Sequence, residues 1–152
     1  MNTLSIKTPW HLWGVGVLSL IWNAFGAWDY TQTQLGNREY IASMMEPMGI
    51  DTDAAIAYFS EFPVWMDAAW ALGVWGALLG SVLLILRKRL AFMAFMVSLF
   101  GLVVGTFHGM ANPMPGQEPG AAGPILFSVV LWAVAIGLLL YSRAMIRRNH
   151  LN

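Results

Sequence analysis

The sequence predicts an all-α fold, a bundle of four membrane-spanning helices with short helices outside the bilayer between the first and second. Three observations carry this. The chain holds four apolar runs, each of about 18 residues or more, which is near the length a helix needs to cross the hydrocarbon core. Only 11% of its 152 residues are charged and 58% are hydrophobic, whereas soluble domains carry roughly 25% charged residues. A water-soluble fold with so few charges would expose large apolar patches. Finally, the cations sort to one side of such a bundle. The length suits one domain, residues 1–152.

The first run covers residues 10–28, with Trp10, Trp13 and Trp28 near its ends, where interfacial tryptophan is expected. A cleaved signal peptide is the competing reading, because Lys7 precedes an apolar stretch. Trp22 and Asn23 inside the run, its length and the lack of a small-x-small cleavage site argue against it. Residues 29–62 form the only long polar segment, with Asp29, Glu39, Glu46, Asp51, Asp53 and Glu61 against a lone Arg38. Two short helices are expected there. Asn37 caps one over 38–45, which Pro47 and Gly49 end. Asp51 or Asp53 caps the other, which runs to Phe62 with Ile56, Phe59 and Phe62 on one stripe. That stripe fits a helix resting on the bilayer and equally a lid packed on the bundle.

Pro63 suits the first turn of the second long helix, 64–86. It is bounded by Asp67 at one end and Arg87-Lys88-Arg89 at the other. At ~1.5 Å per residue it spans roughly 34 Å, against a core of about 30 Å. The third run, 90–110, closes at Asn112-Pro113. The Pro- and Gly-rich loop after it should be irregular. The fourth, 124–141, continues as a polar helix end through Arg143, Arg147 and Arg148.

Charge then orients the bundle. Lys7, Arg87, Lys88, Arg89, Arg143, Arg147 and Arg148 fall on one side if four helices cross, and Arg38 is the exception. The positive-inside rule places both termini and the basic hairpin in the cytoplasm. The hairpin cations Arg87, Lys88 and Arg89 are expected to contact anionic lipid headgroups.

Helices in lipid associate through close approach and a few polar contacts. Gly73, Gly76 and Gly80 on the second helix and Gly101, Gly105 and Gly109 on the third supply small-residue faces. These serve either packing within the chain or a homodimer seam. Asn23 carries an amide that must face another helix rather than lipid.

Ionisable groups within membrane helices are functional suspects. Asp67 fits a proton, cation or solute contact open to the outside, but the favoured reading is a carboxylate placed at a helix N-terminus near interfacial water. His108 lies at similar depth. Asn23, Asp29, Asp67 and His108 thus form a candidate outward-facing polar cluster, against which stands a histidine that simply meets water. No metal site or cofactor is expected. No close His/carboxylate ligand set appears. A haem held by two histidines needs them to face one another, and His108 is at the opposite end from His11 and His150, which leaves only a His/Met pair as an alternative. No Ser-His-Asp grouping, phosphate loop or dinucleotide fingerprint is present. A net charge of zero argues against a nucleic-acid partner, and the absence of cysteine removes disulfides and thiol chemistry.

Residues 22–30, WNAFGAWDY, and Phe62-Pro63-Val64-Trp65 with AAWALGVWG over 68–76 carry a resemblance. The chain resembles a group of small, uncharacterised proteobacterial four-helix integral membrane proteins, some loosely labelled sugar transporter. The resemblance implies four spans and a bacterial inner membrane, and brings no site residues with it. Three functions are then expected, in this order. First is a non-enzymatic accessory or interaction subunit, whose partners are the lipid bilayer and either another membrane protein or further copies of the chain. Next comes a small-solute, sugar-like or proton-coupled transporter using Asp67 and His108. A membrane-embedded enzyme comes last, with no constellation to support it.

Overall fold

The computed structural model describes residues 8–152. Lys7, counted above among the sorted cations, lies outside the described residues. The described chain is helical without strands. Its helices are α1 (Trp10–Gln34), α2 (Arg38–Met45), α3 (Thr52–Ser60), α4 (Val64–Ile85), α5 (Leu90–Ala111) and α6 (Ala122–Arg147), with a 3-10 turn at Glu46–Met48. Three of them, α4, α5 and α6, are long and apolar enough to cross a membrane. At 25 residues α1 is long enough, but it is not among those three. Asn23, Asp29 and the polar end from Thr31 to Gln34 dilute its apolar character.

The helix ends follow local chemistry. Helix α1 continues well past Trp28, the end expected for it, because Asp29-Tyr30-Thr31-Gln32-Thr33-Gln34 contains no breaker. It stops where Gly36 takes a left-handed conformation, φ 61°. Gly36 N–H then donates to Thr33 O and Asn37 N–H to Gln32 O, both at 3.0 Å, which satisfies two terminal carbonyls. Asn37 next caps α2, its side-chain oxygen accepting from Tyr40 N–H at 3.2 Å. Asp51 caps α3 through Ala54 N–H at 2.9 Å. Helix α3 ends at Ser60, two residues short of the expected Phe62, and Pro63 lies just before α4.

Helices α4 and α5 form the most extensive pair, α1 packs along α4, and α6 lies against α5. All four meet at one end, around Leu12, Leu84, Ala91, Phe95, Leu138 and Met145. The tail joins them there. Leu151 is fully buried, Asn152 N–H donates to Arg87 O at 2.7 Å, and Arg89 N–H donates to Asn152 O at 2.9 Å. At the opposite end α2 and α3 build a second small core from Ile41, Ile50 and Ala55, with Met114 of the α5–α6 loop packed on it. Phe59 of α3 stacks on Trp70 of α4 at 5.7 Å, so α3 behaves as a lid on the bundle.

Glycines set the α4–α5 distance. A Cβ at Gly101 would collide with Ala69 O and with the Gly73 main chain. One at Gly76 would lie 3.2 Å from Ala94 O, and one at Gly73 3.6 Å from Gly101. Gly80 lies under the Phe95 ring. Ser98 Oγ donates to Gly73 O at 2.6 Å across the same seam. The other two glycines expected to pack lie beyond it. Gly105 faces only the Met66 methyl at 3.5 Å, and a Cβ at Gly109 would meet nothing within 4 Å. Gly16 on α1, which spacing did not single out, packs against Ile85.

Candidate functional site

Asn23 is buried between α1 and α4, as its amide requires. Its Nδ2 donates to Ser81 Oγ at 2.9 Å and to Ala77 O at 3.3 Å. Ser81, itself fully buried, is the partner that sequence inspection missed. Its signal was present, a hydroxyl inside the last third of an apolar helix.

Asp29 leaves the bundle axis for the cap, where it accepts from Tyr40 O–H at 2.8 Å. Burial, reinforced by the Asp29 carboxylate, pushes the Tyr40 phenol up to about 12. Arg38 and Asp53 pair across the exposed face of the cap. The guanidinium holds the Asp53 carboxyl below its ordinary value, and the carboxylate in turn raises Arg38.

Asp67 accepts from Gln34 Nε2 at 3.2 Å in an exposed contact. His108 lies among aromatic rings instead, edge-on to Phe62 at 5.1 Å and to Trp65 at 5.5 Å. No hydrogen bond joins any two of Asn23, Asp29, Asp67 and His108. The expected polar cluster is therefore dispersed into separate contacts, for a geometric reason. Trp65 and Asp67 are two residues apart, about 200° around a helix. Asp67 thus turns to α1, while Trp65 turns to His108 on α5.

The rings in place of that cluster connect four helices, α1, α3, α4 and α5. Tyr30 of α1 meets Trp70 of α4 at 5.0 Å, Trp70 meets Phe59 and Phe62, and Phe62 meets His108. Tyr58 O–H donates to Asn112 O at 2.7 Å and ties the cap to the end of α5. Burial raises the Tyr58 phenol. Beside this network lies an open depression of about 1000 Å³, lined by Tyr58, Phe62, Trp65, Phe107 and His108, with Glu61 on its border. It offers ring faces, one imidazole and one carboxylate, a set suited to reversible binding. Among the described residues no three His, Asp or Glu side chains converge as metal ligands.

At the other end the basic hairpin is partly engaged by protein. Arg87 Nη1 donates to Thr8 Oγ1 at 2.8 Å and Arg89 Nε to Leu151 O at 3.1 Å. Lys88 is exposed. Nearby His11 Nδ1 lies 2.7 Å from the Tyr141 hydroxyl, a polar link between the first and last helices that was not anticipated.

The fold is helical, three of its helices are long and apolar enough to cross a bilayer, and polar contacts across the α1–α4 and α4–α5 seams hold long helices together. No family model, curated protein or solved structure matches the chain.

Proposed function

We propose that the chain is a small multi-pass protein of a bacterial inner membrane, with α1 as a fourth span and both ends in the cytoplasm. It acts as a non-enzymatic accessory or interaction subunit. Helix α1 would be about 37 Å long at ~1.5 Å per residue, enough to cross. Its mid-helix polar groups are satisfied by neighbours, Asn23 by α4 and Ser19 by Gly16 O at 2.9 Å. The cations Arg87, Lys88, Arg89, Arg143, Arg147 and Arg148 gather at one end, which the positive-inside rule assigns to the cytoplasm, and the acidic cap lies at the other.

One observation carries the interaction reading. Residues 125–130 of α6 are exposed on every face of the helix, whereas a helix seated in a bundle buries one stripe. This free stretch leaves room for a helix of another membrane protein. The test is affinity purification of the tagged chain from its native membrane in mild detergent. A membrane protein should co-purify in fixed stoichiometry and be lost from Phe127→Arg while the bundle stays folded. A chain recovered alone, or an equal yield of the partner from the variant, overturns the reading.

The aromatic depression around His108 favours a second reading, an outward-facing solute site of a small sugar-like or proton-coupled transporter. Vesicles reconstituted with purified chain would then show uptake that His108→Phe abolishes. Asp67, bonded to Gln34 on another face of α4, is the less suited coupling group of the two.

A further inference from the structure

We infer that the chain holds one anionic phospholipid, its acyl chain in the α4–α5 groove and its phosphate at the Arg87-Lys88-Arg89 turn. This rests on α4 and α5 crossing the bilayer, as proposed above. The groove, about 550 Å³, is lined by Ala71, Gly76 and Leu83 from α4 and Leu90, Met93 and Ala94 from α5, with scarcely any polar surface. It exists because Gly76 and Ala94 bring the two main chains together at its floor while longer side chains form its walls. From Ala71 to Leu83 it follows about 18 Å of helix at ~1.5 Å per residue. One leaflet of a hydrocarbon core of about 30 Å is roughly 15 Å deep. The groove thus matches the reach of a single acyl chain from one leaflet.

Its position supplies the headgroup. Leu90, the first residue of α5, lines the groove, and Arg89 directly precedes it. Arg87, left-handed at φ 57°, closes α4, and Lys88 N–H donates back to Leu83 O at 2.8 Å, which fixes the turn that carries the three cations. Arg87 and Arg89 use single donors on Thr8 and on the Leu151 carbonyl, which are neutral partners. Among the described residues the one ion pair is Arg38–Asp53, at the far end, so no side-chain carboxylate pairs with the turn, where the Asn152 oxygen is engaged by the Arg89 main-chain N–H. An apolar channel one leaflet deep, ending at three cations that no side-chain carboxylate pairs, fits a phospholipid with a net negative charge better than a zwitterionic one.

The experiment is native mass spectrometry of the full chain in mild detergent, offered phosphatidylglycerol and phosphatidylethanolamine of the same acyl chains. Phosphatidylglycerol should be retained in clear excess. Lys88→Glu, at an exposed side chain, should cut that excess by at least about five-fold, the effect of one cation at an anionic surface. Glycerol phosphate and inorganic phosphate, which lack the acyl chain, should not displace the lipid. Equal retention of the two lipids, an excess unchanged in Lys88→Glu, or displacement by glycerol phosphate each overturns the site. A chain that fractionates with salt-washed aqueous proteins would instead overturn the membrane reading beneath it.

Discussion

Single residues show how polar atoms in an apolar chain find partners. Asn23 requires a donor and acceptor environment that lipid does not provide, and Ser81 and Ala77 O on α4 provide it. That requirement was legible from the residue type alone, while the identity of the partner was not, since it lies 58 positions away. Tyr40 and Asp29 make the comparable contact in the cap. A hydrogen bond to a charged acceptor contributes about 1.5–3 kcal/mol when buried, and less here because the pair is only partly buried. Tyr40→Phe should therefore loosen the cap by about 1 kcal/mol, seen as faster hydrogen exchange across residues 38–60. The pH dependence has a definite sign. The phenol is neutral in the folded cap and its value is raised from 10.0 to about 12. Its contribution is complete below the unfolded value and is lost as pH rises toward the folded one. Phenolate absorbance should show Tyr40 among the last tyrosines to ionise.

At the level of elements, ends defined by local chemistry were readable. Helix α2 falls where Asn37, Pro47 and Gly49 place it, and Asp51 caps α3. Helix α1 runs past its expected end because Asp29 leaves the apolar run without ending the helix. Polarity marks where a bilayer would stop, whereas Gly36 marks where the helix stops. The glycine faces were readable as small, but which members pack depends on where α4 and α5 cross. The structure separates them sharply. Gly101→Ala should cost about 1–3 kcal/mol, since its Cβ would press on main chain that cannot rotate away. Gly109→Ala, with open space around it, should be neutral or slightly stabilising in its helix. Thermal unfolding in detergent measures both, and equal effects would refute the crossing point.

For the whole molecule, the topology proposed above, with both termini and the hairpin in the cytoplasm, gives a direct prediction. Reporters active only in the cytoplasm, fused after Lys88 and after Asn152, should both be active, and one inserted near Gln117 should be silent. Activity near Gln117 with silence after Lys88 would reverse the orientation. Helix α6 packs unequally along its length. Its second half meets the other three long helices and the tail at the Leu12–Met145 core, while residues 125–130 stand free. Stability should thus concentrate at the hairpin end of the bundle.

The sequence by itself determined the helical class, the number of long helices and the sorting of charge. Each depends on composition and on short-range pattern, and neither needs to know which residues become neighbours. The tertiary structure decided the rest: that Asp67 meets α1 and His108 meets aromatic rings, and that Gly101 packs while Gly109 does not. It also decided that a groove leads to the basic turn. These depend on helix rotation and crossing angle, which arise only when distant segments pack, because residues two positions apart on one helix look in opposite directions.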